Sequence, residues 1–200
     1  MDANVSIKDS ERLFIAVKLP SELRQVVAEE CSNLSQNFHF SKWTHPEDYH
    51  ITLQFLGDTP KTEIPDLIMA LKQMSEQCRP FKLSLDKWNT FGLPKAPKVL
   101  WVGVSGELEE LNLLAARVHT ATIPLGFSAE SREYKPHLTV ARKYLGKISF
   151  NDKLLENSLK LDDEKRSKIF HRDWTIDSFV LYATRMYAIP MYEMIENITF

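Results

Sequence analysis

Two short stretches decide the reading of this chain: "HITLQF" (His50–Phe55) and "HLTVAR" (His137–Arg142). Each runs His, aliphatic, Thr, aliphatic inside a β-like segment. Side chains alternate across a strand. His50, Thr52 and Gln54 are therefore predicted on one face, with Ile51, Leu53 and Phe55 on the other. In the second stretch His137 and Thr139 oppose Leu138 and Val140. Each strand thus offers an imidazole and a hydroxyl on a polar face backed by an apolar one. The copies lie 87 positions apart (137 − 50), which places them in two different parts of the fold.

Around these strands the chain reads as short strands and helices. "RLFIAVKLP" alternates and stops at Pro20. "ELRQVVAEECSNLSQ" has helical spacing at Leu23, Val26, Val27 and Leu34, with Ser21 as N-cap. "FHFSKWT" is a second strand, and His45-Pro46-Glu47-Asp48 a turn. "IPDLIMALKQMSEQC" is a helix with Pro65 in its first turn, where a missing N–H is tolerated. "PFKLSLDKWNTFG" and "VLWVGV" are strands around the loop "GLPKAPK". "ELEELNLLAARVHTA" is an amphipathic helix, and the polar stretch Asn151–Lys168 reads as helical or partly mobile. "WTIDSFVLYATRM" and "YEMIENITF" each read as one closing strand. Adjacent strands with turn-length links imply antiparallel pairing and an α+β fold. One His-x-Thr strand per half hints at an internal duplication.

The 200 residues suit one domain of two lobes. The first residues carry early acids and no long apolar run, so the expectation is no signal peptide, no membrane span and a cytoplasmic protein. Cys31 and Cys78 lack metal-like spacing and are expected as reduced thiols. A net charge of −2 argues against bulk charge-driven nucleic-acid binding. Yet Ser131–Lys147 holds Arg132, Lys135, Arg142, Lys143 and Lys147 against the single acid Glu133, a net +4 (5 − 1). That run brackets the second His-Thr pair and suits an anion.

Phosphodiester cleavage needs these groups. One imidazole takes a proton from the attacking oxygen and another gives one to the leaving oxygen. Thr52 and Thr139 hydroxyls can donate to non-bridging oxygens, and Arg142 or Lys135 can add positive charge. His39, His45, His119 and His171 lack zinc-type spacing, so no metal and no cofactor are expected. Phe91, Tyr134 and Trp101 are candidates for stacking on a base, with Trp101 the strongest candidate for the core. Tyr49 and Trp43 are expected to pack.

"YHITLQFLGD" and "YKPHLTVAR" resemble the paired His-x-Thr-x motifs of the two-histidine (2H) phosphoesterases. The most similar branch is the RNA 2′,3′-cyclic phosphodiesterases, also called 2′-5′ RNA ligase-like proteins. "RLFIAVKLP", "FGLPKAPKVLWVGV" and "DSFVLYATRM" resemble that family's framework, so the likeness covers most of the chain. It implies a single bilobal domain over residues 1–200, with motifs at 50–53 and 137–140. Two antiparallel sheets would face each other across a cleft, helices outside, with pseudo-two-fold symmetry. It implies metal-free hydrolysis of an RNA-terminal 2′,3′-cyclic phosphate to a 2′-phosphomonoester, with His50 as proton donor and His137 as proton acceptor. Thr52 and Thr139 would hold the phosphate; Arg142, Lys135, Tyr134 and Phe91 would bind substrate. Reversible 2′-5′ RNA joining, action on small cyclic or 2′-5′-linked nucleotides, and a non-catalytic nucleotide-binding module are the alternatives. The partner is an RNA end or small nucleotide bearing a 2′,3′-cyclic phosphate, and the expected state is a monomer. Two departures stand out. Gln54 occupies a position where the family often has arginine. Arg142 lies five residues beyond His137, so a regular strand would point it away from the cleft.

Overall fold

The first strand, β1 (Ser10–Lys18), buries every residue from Leu13 to Val17, so both of its faces are covered. In the computed structural model, which describes residues 9–128, 133–151, 153, 155, 158, 170 and 172–200, those two faces belong to different clusters. Leu13, Ile15 and Val17 join the main core. Phe14 and Ala16 join a smaller cluster with Val180, Tyr182 and the partly buried Tyr192.

The chain continues through α1 (Ser21–Ser35), β2 (Phe40–Trp43), a 3₁₀ turn at Pro46–Asp48, β3 (His50–Pro60) and α2 (Ile64–Ser75). It then forms β4 (Phe81–Leu93), β5 (Ala96–Gly106), α3 (Leu108–Thr122), β6 (His137–Tyr144), β7 (Trp174–Ile176), β8 (Ser178–Thr184) and β9 (Tyr192–Thr199). Helix spacing works as predicted in α1, where Leu23, Val27, Cys31 and Leu34 are buried on one stripe. Pro65 sits in the first turn of α2. Cys31 and Cys78 are free thiols. Among the described residues no helix is long and apolar enough to cross a membrane.

All strand pairs are antiparallel, in the order β7-β4-β5-β6-β3-β1-β8-β9, with β2 added on β6. Two strand groups result, β3-β1-β8-β9 and β7-β4-β5-β6-β2. Among the described residues their strands pair at Ile51 opposite Leu138. The two expected sheets are thus one strongly curled sheet pinched at this residue pair. Helices α2 and α3 pack on β9 and β3, and α1 on β2. The core lies on the helix side and the small aromatic cluster on the other.

One expected element divides. "WTIDSFVLYATRM" forms two strands: β7 pairs with β4 in one lobe, and β8 pairs with β1 in the other. The chain crosses between lobes at Asp177, whose carbonyl accepts the Phe200 N–H. The buried phase shifts at this crossing, from the even positions Trp174 and Ile176 to the odd Phe179, with Ser178 only half-buried, so the break in alternation at Asp177–Ser178 marks the switch. The polar stretch Asn151–Lys168, expected as helical or partly mobile, lies largely outside the described residues, as does Arg132 of the basic run.

Candidate active site

The pinch between lobes is where the two motifs meet. Ile51 and Leu138 are fully buried in the core, so their strand neighbours project from the opposite face. Those neighbours are His50, Thr52, His137 and Thr139, all half-buried. Continued one step either way, the antiparallel register sets His50 across from Thr139 and Thr52 across from His137. Diagonal neighbours in such a ladder stand about 7–8 Å apart, within the span of one phosphate and its hydrogen bonds.

Both imidazoles are held by the same device. His50 Nδ1 lies 2.7 Å from the Asp48 carbonyl, and His137 Nδ1 lies 2.6 Å from the Lys135 carbonyl. A carbonyl only accepts, so each Nδ1 carries a proton and donates. Nε2 is then the free nitrogen on both rings, able to accept a proton on one and donate on the other.

A second shared device is a β-bulge just after each His-x-Thr. Opposite β1, Ala16 pairs with Thr52 and Ile15 with Gln54, which leaves Leu53 extra. Opposite β5, Trp101 pairs with Thr139 and Leu100 with Ala141, which leaves Val140 extra. Each bulge flips the alternation beyond it. Gln54 therefore does not share the His50 face: it is buried, and its Oε1 accepts from Thr122 Oγ1 at 2.9 Å. Phe55 turns out instead, exposed and 6.1 Å from the Phe14 ring. The missing arginine at position 54 thus removes no charge from the cleft. In β6 the same flip buries Ala141 and turns Arg142 to the histidine face. Its positive charge acts on His50, His137 and Tyr192.

The aromatic surroundings differ between halves. His50 lies against Phe14 (4.8 Å), Tyr192 (5.1 Å) and Tyr182 (6.2 Å). His137 lies against Phe91 (5.0 Å) and Trp101 (5.6 Å), which stack on each other. Burial under these rings disfavours the charged form. It pushes His50 down to about 4, partly opposed by the Asp48 carbonyl and carboxylate and reinforced by Arg142 and His137. Burial also lowers His137, opposed by the Lys135 carbonyl and reinforced by Arg142.

Other expected residues divide. Trp101 is not a core residue but a half-buried wall beside His137, because it shares the Thr139 face. Phe91 stands with it at the site. Tyr134 packs against the core with its hydroxyl buried, so its ring is not free to stack on a base. Lys135 reaches the site through its carbonyl, while its exposed ammonium pairs with Glu133 at 3.6 Å. Tyr49 is core, and Trp43 packs against it. Among the described residues, no group of three or more His, Cys, Asp or Glu side chains is placed to hold a metal ion.

Sequence reasoning missed the wall around His50. The buried Asp48 carboxylate accepts the Met191 and Tyr192 N–H groups at 2.9 Å. It thereby draws the β8–β9 connection over the cleft and sets Tyr192 against His50. A signal existed in β1. Five consecutive apolar residues mean that its second face is buried too, here beneath a cleft.

Three comparisons with known proteins bear on the family and the fold. A family model described as the 2′-5′ RNA ligase superfamily matches residues 19–186. An RNA 2′,3′-cyclic phosphodiesterase of Geobacillus stearothermophilus is 38% identical over 182 residues, 91% of this chain and 55% of that protein. The chain thus spans about half the length of this relative. The Bacillus subtilis protein of the same name is 34% identical over 137 residues, 68% of this chain and 74% of its own. The solved structure of Escherichia coli LigT superposes with a TM-score of 0.70 at 20% identity. It covers 96% of this chain and 98% of LigT.

Proposed function

The chain belongs to the 2′-5′ RNA ligase superfamily, and from that premise we propose that it hydrolyses the 2′,3′-cyclic phosphate at an RNA end to a 2′-phosphomonoester. The observation that carries the reading is the pairing of two imidazoles, each with Nδ1 fixed on a carbonyl, on either side of one strand pair.

The phosphate sits between the two Nε2 atoms. His137, with Nε2 bare, takes a proton from water as the water oxygen bonds to phosphorus. The bond from phosphorus to O3′ breaks, and His50, protonated at Nε2, delivers its proton to O3′. His50 is the more enclosed ring, and a depressed pKa makes its imidazolium a stronger acid, which suits delivery to a leaving alkoxide. The substrate's own negative charge favours the required proton on the histidine pair. Thr52 and Thr139 donate to the non-bridging oxygens, and Arg142 adds positive charge where the transition state gathers negative charge. Phe91, stacked on Trp101, offers an aromatic wall to the substrate.

The direct test is turnover of a nucleoside 2′,3′-cyclic phosphate in EDTA, followed by phosphorus NMR. The expected product is the 2′-phosphate. A 3′-phosphate would reverse which oxygen leaves, and turnover only with added metal would sink the reading. With an RNA 5′ hydroxyl attacking phosphorus in place of water while the bond from phosphorus to O3′ breaks, the same groups make a 2′-5′ phosphodiester, so the family's ligase reaction is the second reading. Supplying an RNA hydroxyl in place of water separates the two.

A further inference from the structure

We propose that Lys42 engages the phosphate next to the cyclic one, making the cleft select RNA ends of at least two nucleotides over a mononucleotide. This rests on the phosphodiesterase reading above and adds a substrate-length preference to it. In the β2–β6 ladder Lys42 stands opposite Arg142, and Trp43 opposite Ala141. Trp43 and Ala141 turn to the core, so Lys42 and Arg142 share the other face, the one that carries the histidines. Directly opposed residues stand about 5 Å apart, and a lysine stem extends the reach by several ångströms. The two cations are therefore spaced to serve neighbouring phosphates rather than one.

The position of the ammonium supports this. Lys42 Nζ crosses to the opposite lobe and lies 3.5 Å from Met191 Sδ. Met191 adjoins Tyr192, which touches His50, so the ammonium stands at the rim of the same cleft. A thioether is a weak acceptor, and an arriving phosphate displaces it at small cost. Neither Lys42 nor Arg142 has a carboxylate within ion-pair distance among the described residues. Both charges are therefore available to the substrate. An uncharged ligand, or one with a single phosphate, has nothing to offer Lys42.

The test compares three substrates in EDTA: a nucleoside 2′,3′-cyclic phosphate, a dinucleotide ending in the cyclic phosphate, and that dinucleotide with an uncharged methylphosphonate link. With the unaltered protein, kcat/KM for the dinucleotide should exceed that for the methylphosphonate by about tenfold, the size of one charge-assisted contact. Lys42→Gln should reduce that ratio to within about twofold of unity, and Lys42→Arg should retain most of it. A ratio near unity in the unaltered protein overturns the inference without needing any variant. So does a ratio that survives in Lys42→Gln. If the unaltered protein turns over the mononucleotide but shows no charge preference, only this inference fails. If it turns over none of the three, the phosphodiesterase reading fails and takes this one with it.

Discussion

The β3 half-site and the β6 half-site share a backbone and differ in their walls. Both place the histidine two residues after the carbonyl that receives its Nδ1 proton. Both insert one extra residue directly after the His-x-Thr, Leu53 in one and Val140 in the other. Five residues beyond the histidine, the bulge then delivers Phe55 to the cleft in one half and Arg142 in the other. The β3 half is aromatic, with Phe14, Tyr182 and Tyr192 around His50. The β6 half carries the charge. The two half-sites thus share a backbone geometry, while their side chains differ in a way that suits, on the proposed reading, an enclosed acid on one side and a charged phosphate cradle on the other.

The largest expected effect tests whether the halves act as one site. His50→Ala and His137→Ala should each lower kcat on a 2′,3′-cyclic nucleotide by about 10²-fold or more, the size of a lost acid or base. The double variant should fall little below the worse single one, because paired groups in one step are not additive. Two multiplicative losses would mean that the histidines serve separate steps.

Next comes the charge that distinguishes the β6 half. Arg142→Gln should lower kcat/KM by about tenfold to a hundredfold, as expected for a charge-assisted contact. It should also move the pH profile in a defined direction. A nearby positive charge disfavours a protonated imidazole, and Arg142 lowers both His50 and His137. Its removal therefore raises both, and the kcat/KM optimum shifts to higher pH. In the unaltered protein that optimum should lie below the ordinary imidazole value of 6.5, with the acid limb governed by the pair rather than by one ring. An optimum at or above 6.5 would contradict the desolvation attributed to the aromatic walls.

The order of elements and the four motif residues were legible because they follow from alternation, helical spacing and turn residues. What escaped reading lies where alternation is broken or carries no information. The bulges at Leu53 and Val140 leave no sequence mark, since each extra residue is an ordinary aliphatic. They moved Gln54 into the core and brought Arg142 to the cleft, against strict period-2 reasoning. The lobe switch at Asp177 escaped because the buried phase changes there, from Trp174 and Ile176 to Phe179 and Leu181, just as it does at a bulge within one strand. Tyr192 and Asp48 were missed because their contact joins residues 144 positions apart. Trp101 was read as core from its apolar neighbours, although its register with Thr139 sets it in the wall.

The enclosed half should also be the acid-sensitive one. His50 is lowered from 6.5 to about 4 in the folded chain. Between those values the unfolded chain binds more protons, so stability rises with pH there. The contribution is fully present above 6.5 and is lost as pH falls toward 4. From pH 7 to 4.5 the loss attributable to His50 is about 2–3 kcal/mol. Urea unfolding at the two pH values should show this loss in the unaltered protein and a flatter dependence in His50→Gln. His137→Gln should flatten it less. Equal flattening by both would remove the difference in enclosure between the halves.

The smallest effect probes the shared bulge. If Leu53 is the extra residue, position 54 faces the core side and never meets substrate. Gln54 is buried, bonded to Thr122 through its oxygen, and among the described residues its Nε2 has no partner. Gln54→Leu removes one hydrogen bond and one unsatisfied donor together, so the net change in stability should stay within about 1 kcal/mol. Its kcat/KM should match that of the unaltered protein within about twofold, below the size of any lost charged contact. Gln54→Arg should behave oppositely to an added phosphate ligand, destabilising the fold by forcing a charge into a buried site and gaining no affinity for substrate. A tighter KM for Gln54→Arg would mean that the strand runs straight through Leu53, and that Phe55 rather than position 54 faces away from the cleft.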